Sequence, residues 1–277
     1  MSGTSTTHVS TGTLEVPDGR LYYEVRGQGP LLALVAAPMD AAAFAPLADL
    51  LATEHTVLTT DPRGIHRSVL HDPHQDSTPE LRADDVSRLI THLDAGPAAV
   101  LGSSGGAVTV LALAQAHPEQ VHTVVAHEPP LLGLLEDRSE RLAREDDMIA
   151  TYLAGDRLGA GRKFLANADI HLPEEMVLAM YGGELTPQAV ADEHFQYVHM
   201  IRGTTRFRPD VAALRGAPVR VVVGLGETST GQVCDPTSRA LATALGTAPT
   251  MFPGGHIGFV EDPAAFAARL REVLAAT

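Results

Sequence analysis

With 277 residues and 44% hydrophobic side chains, the chain can bury a large core within one α/β domain. A net charge of −14 with a single lysine, Lys163, argues against nucleic acid or an anionic membrane as partner and leaves a small molecule as the expected ligand. One cysteine, Cys234, precludes an internal disulfide, the start MSGTSTTHVS lacks the apolar core of a secretory signal, and no run of about 20 apolar residues spans a membrane, so a cytoplasmic protein is expected.

Met1 to Ser10, rich in Ser, Thr and Gly, reads as a loose tail. Gly12 to Val16 and Arg20 to Val25 read as strands around the turn Pro17-Asp18-Gly19. Leu31 to Val35 is continuously apolar, as a strand covered on both faces must be. Asp40 to Ala52 reads as a helix capped by Asp40, and Thr56 to Thr60 as the next strand. His66, His71 and His74 share the polar loop that follows; their spacing matches no metal-binding pattern, and a solvated loop is expected. Thr78-Pro79 opens a helix with Leu81, Val86, Leu89, Ile90 and Leu93 on one face, and Gly96-Pro97 stops it.

Ala98 to Leu101 reads as a buried strand and Ala107 to His117 as a helix. Between them stands Gly102-Ser103-Ser104-Gly105-Gly106, a G-x-S-x-G motif in the strand-turn-helix context that gives the motif meaning. A serine hydroxyl is a poor nucleophile unless it is exposed, near a base and beside amides that can hold an oxyanion. A tight turn would lift the central Ser104 out of the sheet, with Gly102 and Gly106 leaving room for the strand and helix to meet. The helix N-terminus adds backbone N–H groups, and the elbow aims the Gly105 N–H at the reaction centre.

Val121 to Ala126 is the next buried strand and ends in His127-Glu128-Pro129-Pro130. From Leu131 to Gly216 the pattern turns helical: Leu134 to Leu153, Gly159 to Ala168, Pro173 to Tyr181 and Pro187 to Ile201. Alternation resumes with a strand at Val219 to Val223, a loop Gly224 to Gly231, a helix at Pro236 to Leu245 capped by Asp235, and a short strand at Pro249 to Phe252. The loop Pro253-Gly254-Gly255-His256-Ile257-Gly258-Phe259 precedes a last helix capped by Asp262.

The elbow G-S-S-G-G, the H-E-P-P after the following strand and the glycine-flanked His256 near the end resemble the α/β-hydrolase superfamily, its lidded esterase-like members most of all, over nearly the whole chain. The resemblance implies an α/β-hydrolase fold: a mostly parallel sheet flanked by helices, with a core at 11–130 and 217–277 and a helical lid at 131–216, after the sixth strand. It implies Ser104 as nucleophile and His256 as base. Where relatives carry H-G-x-P, this chain has Val35-Ala36-Ala37-Pro38, which makes Ala37 the second oxyanion donor beside Gly105, with Met39 as fallback; Pro38 has no N–H. Asp61-Pro62-Arg63-Gly64-Ile65-His66-Arg67-Ser68 is similar to a loop that is structural in relatives, with His66 where glycine is usual.

The acid is assigned to Glu128, with Glu227 as the alternative. Some relatives place it after the strand that ends here at Glu128. Most place it after the following strand, at the position of Ser229, with Glu227 two residues early. Met39, Met180 and Tyr197 are candidates for contact with an apolar or aromatic substrate, against packing within the helical segment. The expected activity is cleavage of a small carboxylic ester, thioester or lactone, with neither cofactor nor metal. A cofactor-free lyase or perhydrolase and a binding protein without turnover are the alternatives, and the oligomeric state is silent in the sequence.

Overall fold

The computed structural model describes residues 8–276. The chain runs β1 (Val9–Val16), β2 (Gly19–Arg26), β3 (Leu31–Val35), α1 (Ala45–Leu51), β4 (Thr56–Thr60), β5 (Val69–Leu70), α2 (Pro79–Leu93), β6 (Ala98–Ser103), α3 (Gly105–Ala116) and β7 (Val121–His127). Six helices follow: α4 (Arg138–Leu153), α5 (Arg157–Asn167), α6 (Glu174–Tyr181), α7 (Pro187–Phe195), α8 (Ile201–Thr205) and α9 (Val211–Gly216). Then come β8 (Arg220–Gly226), α10 (Cys234–Leu245), β9 (Thr250–Phe252), α11 (Gly258–Glu261) and α12 (Pro263–Ala275). The sheet order is β1-β2-β4-β3-β6-β7-β8-β9, with β5 paired to β2. The β1–β2–β4 edge and the β2–β5 pair are antiparallel, and every pairing from β4 to β9 is parallel.

Side chains alternate across a strand, and here the alternation divides the core in two. Leu31, Ala33, Val35, Val100, Val124 and Ala126 pack on the face covered by α2, α3 and α10. Leu32, Leu34, Ala99, Leu101 and Val125 pack on the other face, against α1 and α12. This double covering is why the central strands read as unbroken apolar runs. α3 is apolar on nearly every side and buried accordingly. Among the described residues, no helix is long and apolar enough to cross a membrane.

Thr78 and Asp262 cap α2 and α12 as the sequence indicates, and Asp40 caps a 3-10 turn (Ala41–Phe44) that leads into α1. The Asp61–Ser68 loop has a structural use. Arg63, 1% exposed, is held by Asp85 and Asp18 at 2.7 Å each. His66 has φ 51°, which accounts for glycine being usual there, and its Nδ1 lies 2.9 Å from Asp40 Oδ2.

Several boundaries differ from the sequence reading. The expected tail at 1–10 ends earlier: Val9 and Ser10 pair with Arg26 and Val25, because an edge strand needs backbone partners more than apolar side chains, while residues 1–7 lie outside the described residues. Three short elements, β5, α9 and α11, carry no strong pattern of their own and are not expected from the sequence. Pro187 to Ile201 is not one helix: α7 widens into a π-type turn at Gln196–Met200 before α8. α10 begins at Cys234, so Asp235 lies inside its first turn, bonded to Arg239, rather than capping it.

Candidate active site

Parallel strands deliver their ligand-facing residues at their carboxyl ends. β6 and β7 pair with Ser103 opposite His127, and β7 and β8 with His127 opposite Gly224. The next residues, Ser104 and Glu128, therefore emerge side by side at the sheet's edge. Both turn sharply there: each has φ 55°, a conformation that side-chain-bearing residues seldom adopt. The Ser104 N–H donates to His127 O at 2.9 Å, and the Glu128 N–H donates to Gly224 O at 3.0 Å. The glycines of the elbow have a steric cause. A Cβ on Gly102 would meet Gly106 O at 2.2 Å, and one on Gly106 would meet Val35 O at 2.0 Å.

His256, in the loop after β9, turns its Nδ1 to Glu128 Oε2 at 2.7 Å. Glu128 is fully buried, and its Oε1 accepts the Gly226 N–H, also at 2.7 Å. Burial disfavours the carboxylate, but the His256 hydrogen bond and the neighbouring histidines outweigh it and hold the pKa at about 2. Burial likewise disfavours an imidazolium at His256; the adjoining Cys234 and the hydrogen-bonded Glu128 work the other way, and the net direction is upward. His127 is buried between Phe252 and Phe266, which pulls its pKa down to about 4, so the residue beside Glu128 is a neutral packing group.

Ser104, Gly105, Ala37 and His256 line one cavity of ≈ 140 Å³. Gly105 and Ala37 are adjacent across it, since a Cβ on Gly105 would lie 3.2 Å from that of Ala37. Neither backbone N–H donates to another backbone group among the described residues. The second candidate acid is elsewhere: Glu227 is exposed and shares no hydrogen bond with His256. Ser229, where relatives commonly keep the acid, is fully buried beside Glu128; a Cβ on Gly226 would lie 2.8 Å from both side chains. The smaller side chain leaves that space to a carboxylate arriving from β7.

The three residues expected to touch substrate do not line this cavity. Met39 packs against the α1–α12 core layer, and Met180 is 52% exposed. Tyr197 is buried in a cluster with Met148 and Ile149 and stacks on Tyr152 at 4.3 Å. In their place Met148, Phe164, Met200 and Ile201 form the apolar wall. Packing, the alternative set against substrate contact for these side chains, is what Met39 and Tyr197 do, while Met180 turns to solvent.

Two further cavity residues were also missed. Cys234 Sγ, a His256 ring nitrogen and a Glu128 oxygen lie within 4.8 Å of one another. The only signal was a lone cysteine between the loop that usually carries the acid and the helix expected from Pro236. Both Glu128 oxygens are already hydrogen-bonded, so the cluster serves the histidine better than it would serve a cation. The other is Glu145 on α4; its flanking Arg144 and Asp146 suggest a solvated face, but helical spacing sets it on the same face as Leu142, Met148 and Ile149, which is the signal that could have found it.

A model of the alpha/beta hydrolase family matches residues 31–269. The chain is 31% identical over 279 residues to the uncharacterized hydrolase YraK of Bacillus subtilis (strain 168), with 96% of each chain covered. It is 30% identical over 271 residues to a zearalenone hydrolase of Bionectria ochroleuca, covering 92% of this chain and 94% of that one. The crystal structure of E-2-(acetamidomethylene)succinate hydrolase superposes with a TM-score of 0.68 at 23% identity, covering 97% of this chain and 100% of the other. The enol-lactonase of Burkholderia xenovorans LB400 does so with a TM-score of 0.68 at 18% identity, covering 95% and 99%. At such identities these two structures share the fold.

Proposed function

The chain belongs to the alpha/beta hydrolase family, and on that premise we propose that it is a serine hydrolase cleaving a small carboxylic ester, thioester or lactone through an acyl-enzyme on Ser104. One observation carries the reading: the Glu128–His256 hydrogen bond stands at the cavity whose wall includes Ser104 on a positive-φ turn. With Nδ1–H given to Glu128, His256 keeps Nε2 free to take the Ser104 proton. Ser104 Oγ attacks the acyl carbonyl, and the Gly105 and Ala37 N–H groups hold the oxyanion. His256 returns the proton to the departing alcohol or thiol, and then activates the water that releases the acid. Glu128 stabilises the imidazolium and stays ionised.

The helices of 131–216 act in this reading as a lid. Glu145, Met148, Phe164 and Met200 all come from that segment and line the cavity together with Ser104, a placement that suits exclusion of water during the acyl-enzyme stage. The apolar wall favours a substrate with an apolar acyl or alcohol part.

A panel of 4-nitrophenyl esters from acetate to octanoate, with matched thioesters, tests this. Multiple turnovers with equimolar release of acid and leaving group are expected. Binding without turnover, or product formation only when hydrogen peroxide is supplied, would overturn it.

A further inference from the structure

Glu145 is 3% exposed, lines the same cavity as Ser104 and His256, and is incompletely satisfied. Its Oε2 accepts the Thr205 hydroxyl at 2.5 Å, while its Oε1 is buried with no hydrogen-bond partner. Arg206 Nε stands 3.5 Å from Oε1, but the Arg206 guanidinium makes its hydrogen bond to Asp146, at 2.7 Å. A buried carboxyl oxygen left without a donor is costly, and a cavity with an apolar wall has no packing need for one. We propose, building on the ester-hydrolase reading, that Glu145 is the polar recognition site of this cavity and binds a hydroxyl group of the substrate.

The chemistry favours a hydroxyl over an ammonium group. Arg206 already stands 3.5 Å from the carboxyl, and Arg141 and Arg144, each paired with its own carboxylates, line the same cavity, so a second cation at Glu145 gains little. Burial raises the Glu145 pKa against the opposing effects of Thr205 and Arg206. A hydroxyl suits either ionisation state, since it donates to a carboxylate and accepts from a carboxylic acid. Substrates would thus carry an ester and, at a fixed distance from it, a hydroxyl on an otherwise apolar frame.

The test uses 4-nitrophenyl esters of straight-chain acids from four to ten carbons, each paired with the chain of equal length that ends in hydroxyl instead of methyl. At one chain length the wild-type protein is expected to favour the hydroxyl member by about 10-fold or more in kcat/KM, because a site built for a hydrogen bond rejects the partner that lacks it. Glu145→Leu should bring that ratio to about one or below, while Glu145→Gln, which keeps the shape and an acceptor oxygen, should retain part of it. Should the leucine variant fail to fold, the wild-type ratio and the glutamine variant still decide. No preference at any length, or equal losses for both members in the variants, would overturn the inference and leave the ester-hydrolase reading standing. Failure to cleave any ester of the panel would overturn both.

Discussion

Ser104→Ala lowers kcat toward a 4-nitrophenyl ester by about 10,000-fold or more, the scale of a lost nucleophile, with KM little changed. The acyl-enzyme route offers no other hydroxyl at the turn. Ser103 cannot substitute, because its hydroxyl is buried against His127 Nδ1 at 3.2 Å. Alanine fits the φ 55° turn no worse than serine does, and Ser104 Oγ makes no hydrogen bond among the described residues. Thermal stability should therefore hold or rise, and a melting curve beside the kinetics separates lost chemistry from lost fold.

Glu128→Gln is the second large effect, a fall in kcat of about 100- to 10,000-fold. Its cause is the hydrogen-bond pattern. The glutamine oxygen must accept the Gly226 N–H, since an NH₂ there would face another donor. The NH₂ then faces His256 Nδ1 and imposes the tautomer with its proton on Nε2, the wrong one for taking a proton from Ser104. The pH profile moves too. A general base works only when unprotonated, and the raised pKa of His256 puts the acid limb of kcat/KM above the ordinary histidine value of 6.5. Without the carboxylate the limb shifts to lower pH. Glu227→Gln, altering an exposed side chain, should leave kcat within about twofold. A large loss there with Glu128→Gln near wild type would reverse the assignment of the acid.

The parallel sheet and the elbow were legible because both rest on local rules. Buried strands must be apolar throughout, and a nucleophile turn must have glycines where Cβ atoms would strike Val35 and Gly106. Glu128 and His256 could be placed by their positions at strand ends, and Glu128 preferred to Glu227 on that ground; the hydrogen bond between Glu128 and His256 depends on the register of β7 against β8, which no short stretch encodes. The cavity wall was least legible. Glu145 and Met148 share the inward stripe of α4 with Leu142, Ile149 and Tyr152, and the charge of Glu145 masks that spacing; Met180 faces outward because of how the short α6 packs on its neighbours. Cys234 was obscured by a two-residue error at a helix start.

Intact mass after exposure to a fluorophosphonate, with Ser104→Ala alongside, tests the central claim most directly. An activated serine beside an assembled oxyanion site displaces fluoride and takes one phosphonyl group. The account predicts a single adduct on the wild-type chain and none on the variant. A folded wild-type chain that stays unmodified, or a variant labelled equally well, would contradict it.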